Sequence, residues 1–353
     1  MSSPLASIVA FYDYALQPVS ALAWVGDPIS ILDIAAAFRL ALILRQVREL
    51  FHNEHIAKTS SKNGQNVDLP EQRSRVRDLV TNFIMVFGGE AVVAPYLGLQ
   101  PSFFLSGSYP FLFLGIGALV DSLPTVPELS LFTELPLAIL DGFTRATFLC
   151  NFVPAMITTH ASPAVSNSPY TLLLTTFVAA NAGPFIVNVL SLLRPTPMTL
   201  TTPPELLPYG WTATDLWIAP LVTGLYATLT HAQPFFANLH ALLFSFFSPL
   251  GLAPLSSNVE GAVVPLDAND ARAACVLVLS ALFSLRAVRS FGVGTPQPEP
   301  ARAAYVTSAP VSNLGTSEGE QLEKELAARV AGAGKVGYSR SSPSSQLRRT
   351  KEF

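Results

Sequence analysis

An acid and a base one helical turn apart, inside an otherwise apolar stretch, are the residues here most able to do chemistry. They are Asp141 and Arg145, in residues 131–152, LFTELPLAILDGFTRATFLCNF. At a spacing of four the two side chains share one face of a helix and partly neutralise each other. A charge held at membrane depth is costly, so a retained one faces a protein interior or a watery path. The competing reading is a structural ion pair that ties helices together. Further polar groups sit in two other apolar stretches. Gly88-Gly89 is followed at once by Glu90, and Asn181 precedes Gly183-Pro184. Adjacent glycines weaken a helix, and proline removes a backbone hydrogen bond, so both stretches are expected to break at their centres. Carbonyls freed at membrane depth are tolerated where they line a cavity or meet another helix. Glu90 and Asn181 can then offer oxygens to a dehydrating cation at the pore bends formed by Gly88, Gly89, Gly183 and Pro184. Against this stand close packing through small residues, an ion pair for Glu90, and helix-to-helix glue for Asn181. Arg39 sets a local field or moves with voltage, since charge crossing a potential is worth about 2.3 kcal/mol per 100 mV. Its plainer role is to snorkel to a helix end.

The elements that position these residues follow from composition. Half of the 353 residues are hydrophobic and only 13 % are charged, against about a quarter in a soluble domain. The chain reads as an all-α integral membrane protein. Its net charge of −3 gives nucleic acid no attraction. Cys150 and Cys275 lie in apolar segments and read as small core residues. The five histidines form no cluster at metal-ligand spacing, so no metal is expected. No paired acids, Ser/His arrangement or His-rich site falls inside the helices; His160, His231 and His240 fall in loops or at helix ends, and no enzymatic activity is expected. The opening MSSPLASIVAFYDYALQ lacks the positive region and long apolar core of a cleavable signal peptide.

A bilayer core needs about 20 mostly apolar residues per helix. Seven stretches qualify: residues 28–50, 79–97, 102–120, 131–152, 170–193, 214–230 and 271–291. The first is interrupted by Asp33, Arg39 and Arg45. An eighth apolar patch, 235–247, is shorter and reads as interfacial or re-entrant. Arg48, Lys58, Lys62, Arg73, Arg75 and Arg77 follow the first helix, Arg194 the fifth and Arg289 the seventh. The positive-inside rule places these loops in the cytosol, with residues 1–27 lumenal and the C-terminus cytosolic. The loop 53–69 is polar, and 292–353 has the composition of a disordered tail, with one short helix expected in SEGEQLEKELAARVAG. The closing RRTK cluster is suited to anionic lipid.

The seven stretches divide into two halves of three plus one. Each half opens with a helix carrying an internal Arg (Arg39, Arg145) and an upstream acid (Asp33, Asp141), and each has a centrally interrupted second helix. An odd number of helices per half forces opposite orientations, the inverted repeat of transport proteins.

In this order of features the chain resembles the trimeric intracellular cation (TRIC) channels over roughly residues 29–291. Phe87-Gly88-Gly89 matches the family's glycine-rich break, and Leu119-Val120-Asp121 echoes the Pro-Leu-Asp element that ends its third helix. Counting nine residues from Leu135-Pro136 sets Arg145-Ala146-Thr147 where the family carries Lys-Glu-Val. Asn181-Ala182-Gly183-Pro184 keeps one glycine of the family's Gly-x-Gly, and Arg286 stands for the lysine of its seventh helix. The acid of the fourth-helix signature is missing at Ala146, and Asp141 substitutes from the preceding turn. The resemblance implies a homotrimer in the endoplasmic reticulum or another intracellular membrane, with a pore in each protomer between the second and fifth helices. It implies K⁺ or Na⁺ flux that balances charge during Ca²⁺ release and uptake. Phosphoinositide and other membrane lipids would contact Arg145, with Asp141 and Arg39 sharing in gating. A carrier built on the same repeat is the alternative.

Overall fold

The computed structural model describes residues 5–20, 27–61, 70–72, 74–207, 210, 213–247 and 263–291. Among them there is no strand; an isolated antiparallel bridge joins Pro18 to Ser30. Helices run in the order α1 (Ala6–Ala15), α2 (Ile31–Ser61), α3 (Arg75–Tyr96), α4 (Ser102–Leu105), α5 (Ser108–Ser122) and α6 (Leu131–Ala146). A π-helical turn, Thr147–Phe152, joins α6 to α7 (Val153–Thr158), followed by α8 (Pro163–Ser166) and α9 (Pro169–Val189). After α10 (Thr214–Thr230) and α11 (Pro234–Phe247), the described chain ends in α12 (Ala268–Phe291).

Several of these starts are written in side-chain caps. Asp33 accepts from the Ser30 backbone N–H at 2.8 Å while its own N–H donates to Ser30 Oγ at 3.2 Å, a reciprocal box that opens α2. Ser130 and Thr133 close the same box on α6. Ser168 accepts from the Thr171 N–H at 3.2 Å, and Pro169 takes the first turn of α9, where its missing N–H costs nothing.

Three helices are long and apolar enough to cross a membrane, α3, α9 and α12, with mean hydropathies over their best windows of 1.4, 1.6 and 1.8. The other expected spans differ from this standard for physical reasons. α2 is 31 residues, about 46 Å at 1.5 Å per residue, and continues into the stretch expected to be a loop. The third expected helix is cut at Ser106-Gly107 into α4 and α5, and α5 keeps only 15 residues. The fourth is interrupted by its π turn. There Phe148 O accepts from Val153 N–H, and the next carbonyl, Leu149 O, faces Pro154, which has no N–H to give. The Thr223 hydroxyl of α10 donates to Leu149 O instead, at 2.9 Å. The patch at 235–247 is helical, as α11, and too short to span. The tail helix expected in SEGEQLEKELAARVAG and the RRTK cluster lie outside the described residues.

The two expected central breaks are absent. α3 runs through Gly88-Gly89 and α9 through Gly183-Pro184 without interruption. The glycines serve proximity. A Cβ on Gly89 would stand 1.8 Å from Ala179 O, and one on Gly88 would stand 3.0 Å from the Gly183 Cα. α3 and α9 therefore cross antiparallel with their backbones touching, which side chains of any size forbid. A second close approach joins α6 to α12, where a Cβ on Gly142 would lie 2.9 Å from Ser280 N. Around these crossings α2 packs on α5 and α6, α3 on α5, and α10 on α9, α11 and α12. The main core gathers Leu149, Cys150, Val222, Cys275, Leu279 and Phe283 from α10, α12 and the π turn. α1 joins it: Tyr12 is 1 % exposed, its hydroxyl donates to Phe143 O and bonds Thr147 Oγ1 at 2.9 Å, and Arg272 lies over its ring at 4.5 Å. α1, ahead of α2, is thus part of the bundle.

Candidate functional site

The ionisable groups of α2 and α6 meet inside the bundle. Arg39, nine residues into α2 and 4 % exposed, donates from Nη2 to Glu134 Oε2 at 2.9 Å and from Nε to Asp141 Oδ2 at 3.3 Å. The Glu134 side chain is fully buried, and that of Asp141 is 17 % exposed. This corrects the expected pairing. Asp141 does not bond Arg145; its partner comes from another helix, and a guanidinium in a buried seam gains more from two oxygens across the interface than from an exposed neighbour on its own helix. Arg145 is exposed and lies over the Phe283 ring at 5.2 Å, and Arg286 lies at the same 5.2 Å from that ring. Arg286 is held in turn by Asp215 in the first turn of α10. The Phe283 ring thus meets two cations, one paired and one exposed.

Glu134 escaped sequence reading because it sits in the first turn of α6, where an acid commonly complements the helix dipole. Its signal was the apolar run after it: an acid followed by Leu135-Pro136-Leu137-Ala138-Ile139-Leu140 opens a buried or lipid-facing helix, and either setting demands a partner.

The remaining expected site residues are placed elsewhere and committed. Glu90 accepts from Ser102 N–H at 2.6 Å and from Ser102 Oγ at 2.7 Å, which makes it the cap of α4. Asn181 donates to Phe177 O at 2.8 Å and to Leu216 O at 3.2 Å, tying α9 to α10. Gly88, Gly89 and Gly183 are buried in the α3–α9 crossing and Pro184 is half-buried beside it. A counterpart of Asn181 went unread: Asn82, 3 % exposed, donates to Phe113 O at 2.8 Å and ties α3 to α5.

At one end of the bundle Arg48, expected as a loop charge, and Arg45 of the first expected span are structural. Arg48 bridges Asp78 of α3 and Asp121 of α5. Arg45 donates to Val120 O and to Pro124 O, taking up carbonyls at and beyond the end of α5. At the other end His160 bonds Leu97 O, just past α3, at 3.0 Å, and His231 meets His240 of α11 at 2.9 Å. Burial and the neighbouring His231 hold His240 below the ordinary 6.5. Beside the π turn, Cys150, Asn151, Pro154, Thr158, Tyr226 and Thr230 line a cavity of about 280 Å³. Among the described residues, no group of three or more His, Cys, Asp or Glu is placed to hold a metal ion.

No family model, curated protein or solved structure matches the chain. Functional argument therefore rests on the geometry itself.

Proposed function

We propose that this chain conducts monovalent cations across a membrane, with a TRIC-like arrangement of seven helices in two inverted halves and a seventh added. The halves are α2–α3–α5 and α6/α7–α9–α10, and α12 is the addition. The observation that carries the reading is the antiparallel α3–α9 crossing at Gly88, Gly89 and Gly183. At the crossing point itself backbone meets small residues, where two helices can part with few side chains to displace, and it is closed here. Two further pairings support the halves. Asn82 ties α3 to α5 as Asn181 ties α9 to α10. The carbonyls just past α9 are taken by Arg77, and the one just past α3 by His160. The clustering of Arg45, Arg48 and Arg77 at one end favours that end as cytosolic. The homotrimer, the intracellular membrane and phosphoinositide contact at Arg145 belong to the same proposal and rest on resemblance.

The test is planar-bilayer recording of purified protein in a K⁺ gradient, beside Gly88→Ala, whose Cβ wedges the crossing at 3.0 Å from Gly183 Cα. Discrete cation-selective steps, open for a larger fraction of the time in the variant, support the reading. Silence from folded protein sinks it, and saturable counterflow in vesicles would then establish the carrier.

A further inference from the structure

The seam between α2 and α6 holds more negative than positive charge. Arg39 brings one guanidinium and faces two carboxylates, Glu134 and Asp141. Arg145, the next cation along α6, makes no ion pair with Asp141 and lies over Phe283 on the exposed face. Asp33, the other acid on this part of α2, is occupied with the Ser30 cap. Glu134 Oε1 is buried with no hydrogen-bond partner, although Oε2 of the same carboxylate is bound by Arg39. A buried carboxylate oxygen that accepts no hydrogen bond is costly even where the other oxygen of the group is paired. Something must offset it.

We propose that the Arg39–Glu134–Asp141 seam is a binding site for one monovalent metal cation, Na⁺ or K⁺, held by carboxylate oxygens with Glu134 Oε1 as its fixed ligand. The chemistry favours a hard cation, which oxygen ligands suit and which Arg39 excludes from its own side. The charge count favours a single positive charge. One guanidinium and one M⁺ balance two carboxylates, whereas a divalent ion would replace a buried excess of −1 by one of +1. Access is on the side of Asp141, 17 % exposed, since Glu134 is fully buried. Bound there, the cation bridges the first turns of α6 to α2 and stabilises the folded bundle in proportion to its occupancy. The site lies on the α2–α6 seam, separate from the α3–α9 crossing, and does not depend on conduction.

The experiment is thermal unfolding of the full chain in detergent at fixed pH and ionic strength, in chloride salts of Na⁺, K⁺ or N-methyl-D-glucamine, the last too large to enter. The expected result is a saturable rise of several °C in Na⁺ or K⁺ over N-methyl-D-glucamine. Glu134→Gln abolishes the difference and shows, in N-methyl-D-glucamine, a midpoint close to that of the cation-bound parent. Should Glu134→Gln fail to fold, Asp141→Asn serves the same comparison, with the cation-dependent rise reduced at least severalfold. Equal midpoints in all three salts overturn the site. So does an undiminished cation effect in the folded variant. A midpoint that follows pH and ignores the metal cation overturns it as well, because the balancing charge would then be a proton. None of these outcomes bears on the bilayer currents, so the two proposals fail separately.

Discussion

Arg77, in the first turn of α3, donates from Nε to Leu192 O at 3.1 Å, beyond the last turn of α9. Its other nitrogens reach Ser191 O at 2.8 Å, Arg194 O and Thr196 O at 3.0 Å, and Glu71 Oε2 at 2.9 Å. All five donors of one planar guanidinium are used, four on carbonyls of the chain that leaves α9 and one on the Glu71 carboxylate. Ser191 itself adopts φ 52°, a left-handed conformation uncommon for a residue with a Cβ, and both Arg77 and Thr201 bond it there.

Arg77→Ala is accordingly expected to destabilise the bundle by about 2–3 kcal/mol, the range for losing charge-assisted bonds at a partly exposed position. Lys should restore little of it, because an ammonium presents three donors from one point and cannot span four carbonyls. Thermal unfolding of the three proteins in one detergent measures this. A Lys variant as stable as the parent would show that only the charge matters.

The α3–α9 crossing gives the second prediction. Gly89→Ala places a methyl 1.8 Å from Ala179 O, a backbone atom that cannot rotate away. Either the helices separate or the fold is lost, and a cost of about 1–3 kcal/mol is expected from overpacking. Gly115→Ala is the control, since a Cβ there meets nothing within 4 Å. The control should lose no stability, and an equal loss in both variants would refute the crossing as the cause.

How much of this was written in the chain can be judged from these residues. Helix positions were legible because apolar length and caps such as Ser168-Pro169 are local signals. The role of the glycines was not, because Gly88-Gly89 reads alike whether a helix bends or a neighbour approaches, and only the partner at Ala179 decides. Asp141 was recognised, but its neighbour in sequence, Arg145, hid its neighbour in space. Arg39 lies 102 positions away, beyond the reach of any periodicity. Glu134 was passed over as an ordinary first-turn acid.

Arg39→Met tests that seam from the cationic side. Removing the guanidinium leaves Glu134 and Asp141 without their counter-charge, and a loss of about 3–5 kcal/mol is expected. In the double variant Arg39→Met with Glu134→Gln, much of this should return, because the buried charge that demanded compensation is gone. The coupling is read as the difference between the double variant and the sum of the singles. Strict additivity would show that Arg39 and Glu134 do not act on each other.

His240 supplies a dependence on pH. Its ring is 3 % exposed, and burial together with His231 disfavours its cation, so its folded value lies below 6.5. The unfolded chain therefore binds a proton more readily than the folded one in the interval below 6.5. Stability from this group is complete above that interval and is lost as pH falls through it. The same ring meets His231 Nε2 at 2.9 Å, the contact that ties α11 to the end of α10, so placing a cation there acts on that junction. Lowering the pH from about 7 to about 5 should thus lower the unfolding midpoint of the parent and lower amide protection, taken relative to the intrinsic exchange rate at each pH, in α11 first. His240→Gln, which keeps a polar partner for His231 and cannot titrate, should flatten that part of the profile. An unchanged slope in the variant would assign the acid sensitivity to the carboxylates instead.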